Sequence, residues 1–233
     1  MHAFALIAPT PAESRVFRGK IDPNLNDGPK KIIKKELYGK SILFTHCGIG
    51  KVNAAHSTTL MLENYEVDTV VLFGIAGGYC GSVGDVAVAE TENYGEEGVL
   101  TEDGWNSMKI TGFPFVKNDK EYYNTFTMDT ELSECAIKSS ISAGFIVRSG
   151  NFVTVSQCSG TSESGKIMKK RFGGICENME GAAVAHICAL YGIPMIEIRG
   201  ISNMVEDRDL NKWKIEEAAG NCNKAIIEFI KEI

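Results

Sequence analysis

Two β-rich apolar runs, 41–46 (Ser-Ile-Leu-Phe-Thr-His) and 68–73 (Asp-Thr-Val-Val-Leu-Phe), each end in glycines. Between them Val52, Ala55, Thr59 and Leu62 recur at the spacing of one helix face across 51–64. A strand, a helix and a second strand in this order form a crossover unit. Such a unit returns the chain in the same direction, so the central sheet contains parallel strands. Residues 3–8 are apolar throughout, which fits a strand covered on both faces.

The same alternation continues along the chain. A strand is expected over 85–95, running into a loop. Residues 96–117 are rich in Gly, Glu and Asp and read as an exposed excursion. Helix is expected within 119–141 and a strand over 150–156. A helix capped by Ser156 or Ser159 then runs through 170. The segment 179–191 predicts a helix closed by Gly192 and Pro194, followed by a strand at 194–201 and an amphipathic helix at 211–232. No repeat or long linker interrupts the pattern. The expected fold is a single α/β domain over 1–233, its mixed, twisted central sheet flanked by helices and its long strands curling toward a barrel.

Composition narrows the function classes. With 233 residues the chain can bury a substantial core without staples. The net charge of −6 gives no basic surface for nucleic acid. No stretch reaches the length of a membrane span, and the short apolar N-terminus lacks a basic leader. The seven cysteines form no C-x-x-C pair and read as reduced thiols of a cytoplasmic protein. The four histidines, at 2, 46, 56 and 186, make no metal-ligand spacing, so no metal site is expected. No G-x-S-x-G elbow supports acyl transfer.

Five segments carry candidate chemistry. Gly48-Ile49-Gly50-Lys51-Val52-Asn53 follows a strand and opens a helix, where backbone N–H groups favour anions or hydroxyl oxygens. It lacks the third glycine of a dinucleotide motif and reads alone as a tight turn. Gly74-Ile75-Ala76-Gly77-Gly78 is a second glycine turn at a strand end, consistent with a shared ligand crevice or with loop geometry only. In Glu177-Asn178-Met179-Glu180-Gly181 a carboxylate enters a helix of small residues. It either complements the helix dipole or accepts hydrogen bonds from two ribose hydroxyls. Ser202-Asn203, after Arg199-Gly200-Ile201, is a turn, a cap or a base-reading element. Glu13 follows Pro9 and Pro11 and reads alone as a solvated glutamate at a helix start.

Taken in order, these segments, together with Val83-Gly84-Asp85 and Met179-Glu180-Gly181-Ala182-Ala183, resemble the nucleoside phosphorylase and nucleosidase superfamily. The nearest branch is similar to the methylthioadenosine/S-adenosylhomocysteine nucleosidases and the futalosine hydrolases. The resemblance spans most of the chain. It implies hydrolysis of a purine nucleoside without a cofactor, in a homodimer whose partner closes part of the site. By position it implies that Glu13 activates water and that Glu180 binds the ribose hydroxyls with Met179 against the sugar. Phe152 would stack on the purine, Val153 would offer backbone hydrogen bonds, and Ala76 and Gly77 would line sugar and base. Ser202 joins the binding set, and Asn203 meets purine N7.

Asn203 stands where adenine-specific members carry an aspartic acid. An amide can donate to both N7 and O6 of a 6-oxopurine, which an ionised carboxylate cannot do. A mismatched donor pattern leaves a buried group unpaired and discriminates strongly. Futalosine carries hypoxanthine, and the run Ser202-Asn203-Met204-Val205-Glu206-Asp207-Arg208-Asp209 with Trp213 is similar to the futalosine hydrolases. Arg208 and Lys212 are candidates for the carboxylate of that substrate's 5′ tail. Phosphorolysis, adenine-nucleoside hydrolysis and non-catalytic nucleoside binding stay open as alternatives. Gly74–Asp85 contains no Arg or Lys to hold phosphate, whereas Arg15 and Arg18 lie near the first loop.

Overall fold

The computed structural model describes residues 3–22, 31–207 and 209–233. In chain order the first elements are β1 (Ala3–Ala8), α1 (Arg15–Ile21), β2 (Ile33–Leu37), β3 (Lys40–His46), α2 (Lys51–Asn64), β4 (Thr69–Gly78) and β5 (Val86–Tyr94). Short strands follow, β6 (Val99–Thr101), β7 (Gly104–Asn106), β8 (Val116–Lys117), β9 (Glu121–Tyr122) and β10 (Thr125–Thr127). The rest comprises α3 (Thr130–Ser142), β11 (Val147–Thr154), α4 (Ser162–Phe172), β12 (Gly174–Asn178), α5 (Gly181–Tyr191), β13 (Met195–Met204) and α6 (Ile215–Glu232).

The main sheet is mixed, as the strand–helix–strand pattern requires. β1 lies between β3 and β4 and is parallel to both. β13 runs parallel to β4 and antiparallel to β5. β5 continues through β11 and β12 back to the far end of β4. Five strands therefore close a ring, and β1, β3 and β2 extend from it as an open wing. Closure demands stagger, and the register breaks at Gly150/Asn151 on β11 and between Ile201 and Asn203 on β13 supply it.

Side chains alternate between two apolar layers. Ala3, Ala5 and Ile7 of β1 face the layer built with Ala54 and Met61 of α2 and Ala182–Ala185 of α5. Leu6 and Ala8 face the opposite layer, with Phe17 of α1, Ala136 of α3 and one stripe of α6. That stripe is Cys222, Ala225, Ile226, Phe229 and Ile230, a helical repeat of buried residues. Phe17 sits 5.3 Å from both Phe44 and Phe73, edge to face with the latter, which locks the short α1 onto the sheet.

Several expectations require correction. The helix anticipated in 119–141 begins only at Thr130, capped by Asp129, whose Oδ1 accepts from the Leu132 N–H at 2.9 Å. The preceding residues are strand because Tyr122 stacks on Phe126 at 5.3 Å and Phe126 is buried against β5. The α4 cap is Thr161, reciprocally bonded with Ser164, and not Ser156 or Ser159. The N–H groups of those two serines are held instead by Glu96 and Glu177. The last long helix starts at Ile215, after a 3₁₀ turn at Leu210–Lys212. Ser202 and Asn203 lie inside β13, at its bulge, where a turn was one of the readings.

Candidate active site

Parallel strands bring their carboxyl ends to one edge, and in this fold those ends carry the polar residues. The turn after β1 supplies Glu13, β4 supplies Ile75, Ala76 and Gly77, β12 leads into Met179 and Glu180, and β13 supplies Ser202 and Asn203. All of them line one cavity of about 230 Å³. Other clefts are larger, about 640 Å³ around Leu210–Glu217, about 510 Å³ near Asn118–Asp129 and about 450 Å³ around Arg15 and Arg18, but none gathers these carboxylates. The candidate site is therefore the smaller cavity.

Glu13 is 7% exposed. Its Oε1 accepts from the Thr10 hydroxyl at 2.8 Å and its Oε2 from the Ile75 N–H at 2.9 Å. Burial pushes its pKa above the usual carboxylate range, against the pull of the Arg199 guanidinium and the Ile75 N–H. Gly74 must stay small for this arrangement, because a Cβ there would sit 2.5 Å from Glu13 Oε2 and 2.8 Å from Arg199 Nη1. The backbone of Glu13 is held from behind. Fully buried Asn223 of α6 donates to the Glu13 carbonyl at 2.6 Å and accepts from the Phe17 N–H at 2.8 Å.

Glu180 is 4% exposed and bridges two loops. Its Oε1 accepts from the Gly50 N–H at 2.9 Å, and its Oε2 faces Arg199 Nη2 at 3.4 Å. Gly50 caps α2 with φ of 92°, a conformation open to glycine, which aims its N–H at the carboxylate. Arg199 is fully buried and also donates from Nε to Glu197 at 2.7 Å and from Nη1 to the Ile75 carbonyl at 3.3 Å. It faces carboxylates on several sides, which keeps its guanidinium charged despite burial.

At the other end of the cavity Ser202 Oγ donates to Asn203 Oδ1 at 2.8 Å. Asn203 Nδ2 faces the Met204 carbonyl at 3.3 Å. The same Ser202 hydroxyl also reaches the Ala76 carbonyl at 3.2 Å, and the Asn203 amide sits with its oxygen toward Ser202 and its nitrogen toward Met204. Glu177 lines the same end, accepting from the Tyr79 hydroxyl at 2.9 Å and the Ser159 N–H at 2.8 Å. Burial and this carboxylate keep the Tyr79 phenol neutral. Met179 lies 3.4 Å, sulfur to sulfur, from Cys158 on the wall.

A family model described as the phosphorylase superfamily matches residues 3–231. The chain belongs to the phosphorylase superfamily. It is 30% identical over 199 residues to a futalosine hydrolase of Thermus thermophilus, covering 84% of each chain. It is 31% identical over 183 residues to a 5′-methylthioadenosine/S-adenosylhomocysteine nucleosidase of Actinobacillus succinogenes, covering 76% of this chain and 74% of that one. The fold matches a crystal structure of the latter enzyme from Neisseria meningitidis in complex with methylthio-immucillin-A. That match has a TM-score of 0.85 and 24% identity, with full coverage of both chains. A futalosine hydrolase mutant of Helicobacter pylori matches with the same TM-score at 19% identity, again over all of both chains.

Within this superfamily fold, the sequence-derived residues Glu13, Ala76, Gly77, Met179, Glu180, Ser202 and Asn203 converge on one cavity. Phe152 and Val153 do not. Both are fully buried in β11, with Phe152 in the apolar layer and Val153 packed against Gly95 and Gly174. The strand places them one or more residues too early, and Val155, beyond its end, forms the wall. Lys212 pairs with Glu206 at 2.6 Å, 62% exposed, and Arg208 lies outside the described residues. Arg199, Asn223, Cys158 and Trp213 were given no role from sequence. A charged residue inside an apolar strand, as in Ile-Glu-Ile-Arg, is the signal that marks Arg199. Among the described residues no group of three or more His, Cys, Asp or Glu is placed to hold a metal. No described helix is long and apolar enough to cross a membrane.

Proposed function

We propose that this chain hydrolyses the N-glycosidic bond of a 6-oxopurine nucleoside, with futalosine as substrate. The observation that carries the reading is the shared cavity lined by Glu13, Glu180 and Asn203; in this reading the two carboxylates meet the sugar and the amide meets the base. The similarity to futalosine hydrolases of Thermus thermophilus and Streptomyces coelicolor supports the substrate.

Glycosidic cleavage develops positive charge on the sugar and negative charge on the departing purine. Glu13 takes a proton from the attacking water. Glu180 accepts hydrogen bonds from the ribose hydroxyls and places negative charge beside the cationic sugar. The Asn203 amide donates to the purine edge as charge develops there, a contribution of about 3 kcal/mol for a well-aimed donor. Glu13 works only when ionised, and its pKa is raised. The kcat/KM therefore falls on the acid side at a higher pH than an ordinary glutamate would give.

Water as acceptor is supported by the lining, which holds carboxylates and, among the described residues, no Arg or Lys. Arg199 lies behind the carboxylates, and Arg15 faces Glu216 at another groove. The reading carries with it hypoxanthine and dehypoxanthine futalosine as products, a place in menaquinone biosynthesis and a cytoplasmic location. It also carries a homodimer, for which Ile49 on the cavity rim and Val52, 59% and 83% exposed, offer apolar surface. The similarity to methylthioadenosine/S-adenosylhomocysteine nucleosidases favours a second reading, hydrolysis of a 6-amino nucleoside. The test is incubation with futalosine with and without phosphate, with mass identification of the products. Free hypoxanthine and an unphosphorylated sugar product in phosphate-free buffer are expected, and strict dependence on phosphate would refute hydrolysis.

A further inference from the structure

Behind the cavity lie two carboxyl groups that the chemistry above does not use. Glu92 of β5 and Glu197 of β13 are both fully buried. A Cβ on Gly181 would run into Glu92 Oε1 and Glu197 Oε2 together, so the two oxygens face one point beneath the start of α5. Glu197 Oε1 accepts from Arg199 Nε at 2.7 Å, whereas Glu197 Oε2 has no donor. Every oxygen of Glu92 has one. Its Oε2 accepts from the Thr154 hydroxyl at 2.8 Å and the Asn93 N–H at 3.1 Å, and its Oε1 accepts from Asn178 Nδ2.

A buried anion oxygen without a donor is costly, and two adjacent buried carboxylates cannot both ionise cheaply. One proton on Glu92 Oε1 resolves both difficulties by donating to Glu197 Oε2. Burial raises both carboxyls; the guanidinium beside Glu197 opposes the rise there, while the neighbouring Glu197 adds to it at Glu92, so the proton belongs on Glu92.

We propose that Glu92 and Glu197 form an acid–carboxylate pair holding one proton, and that the pair positions Glu180 and Glu13 from behind. The geometry gives two routes. Through Glu197 the pair fixes Arg199, which faces Glu180 Oε2 and crowds Glu13 Oε2 beside Gly74. Through Glu92 it orients Asn178 and Thr154. Asn178 Oδ1 accepts from the N–H groups of Glu180 and Gly181 at 2.9 and 2.7 Å, and Thr154 Oγ1 from Ala182 N–H at 2.7 Å. Glu180 is thereby held at its backbone and at its carboxylate by one proton-linked unit.

The carboxylates around Arg199 are Glu13 after β1, Glu180 before α5 and Glu197 on its own strand, with the Glu92 acid of β5 beyond Glu197. The thiols Cys47, Cys176 and Cys222 also face this cluster. Burial raises all three, Cys47 and Cys222 to about 12, so they remain neutral.

The kinetic arm of the test rests on the hydrolytic reading, and the spectroscopic arm does not. Glu92→Gln supplies a neutral donor to Glu197 Oε2 but no acceptor to Asn178 Nδ2, and is expected to lower kcat by several-fold, less than Glu197→Gln does. Glu197→Gln moves the negative charge away from Arg199. It is expected to lower kcat on the order of 10–100-fold with little change in KM, and to move the acid limb of kcat/KM to lower pH. Glu197→Asp, which retains the charge, falls between the two. Infrared difference spectra in a Glu13→Gln background are expected to show a protonated carboxylic acid that Glu92→Gln removes. Absence of that acid band overturns the pair, as does Glu92→Gln losing as much kcat as Glu197→Gln. If the wild type releases no base from any purine nucleoside, the hydrolytic reading falls while the infrared result still decides the pair.

Discussion

Adjacent residues of β13 face two differently built interiors. Ile196 and Ile198 point into the apolar layer with Phe73, Phe229 and Ile230. Glu197 and Arg199 point the other way, into a cluster of ionisable groups with Glu13, Glu92 and Glu180. Both groups are fully buried. The apolar side is stabilised by area and close packing, which tolerate a change of shape at a graded cost. On the charged side each group is kept in place by specific partners, so the loss of one partner exposes the others as unsatisfied buried charge. A single strand thus separates the apolar layer from the side that backs the candidate site.

The sharpest separation comes from substitution on each face. Glu13→Gln is expected to lower kcat by about 10²–10⁴-fold, while the Tm is not reduced because a buried charge is removed. Phe229→Ala is expected to do the opposite. Denaturant unfolding should show a loss of about 3–5 kcal/mol, with kcat per folded molecule nearly unchanged. A joint loss of activity and stability in both variants would break the comparison. Asn223→Ala tests the junction, because this α6 residue ties the Glu13 carbonyl to the Phe17 N–H. It should cost about 1–3 kcal/mol and also lower kcat, unlike its apolar neighbours.

The smallest effect is a slope with pH. Glu92 and Glu13 both have pKa values raised above 4.5 by burial. Above that value the unfolded chain releases protons that the folded chain keeps, so stability falls as pH rises toward the folded values. One proton contributes at most about 1.4 kcal/mol per pH unit. Glu92→Gln should flatten this slope in denaturant titrations across the mildly acidic to neutral range, and an unchanged slope would remove the charged side's distinctive pH response.

The strand–helix alternation was legible because apolar periodicity and glycine turns are local signals. The closing of the ring was only hinted at by strand length, since pairing of β13 with both β4 and β5 depends on contacts distant in sequence. Glu13, Glu180 and Asn203 were named through the family resemblance of the ordered motifs, and the three line one cavity. Phe152 was misplaced because the β11 register has irregularities on either side of Asn151, which spacing cannot reveal. The helix expected within 119–141 fills only its second part, because aromatic packing of Tyr122 and Phe126 keeps the residues before it as strand. Glu92 and Glu197 lie far apart in sequence, and only the closed ring brings them together.

The most direct measurement is the ratio of kcat/KM for futalosine to that for its 6-amino counterpart, in wild type and in Asn203→Asp. An amide at position 203 of the cavity lining predicts a strong wild-type preference for the 6-oxo substrate, eroded by the substitution. A wild-type preference for the amino substrate, or a ratio that Asn203→Asp leaves unchanged, would contradict the assignment of Asn203 as the base-reading group.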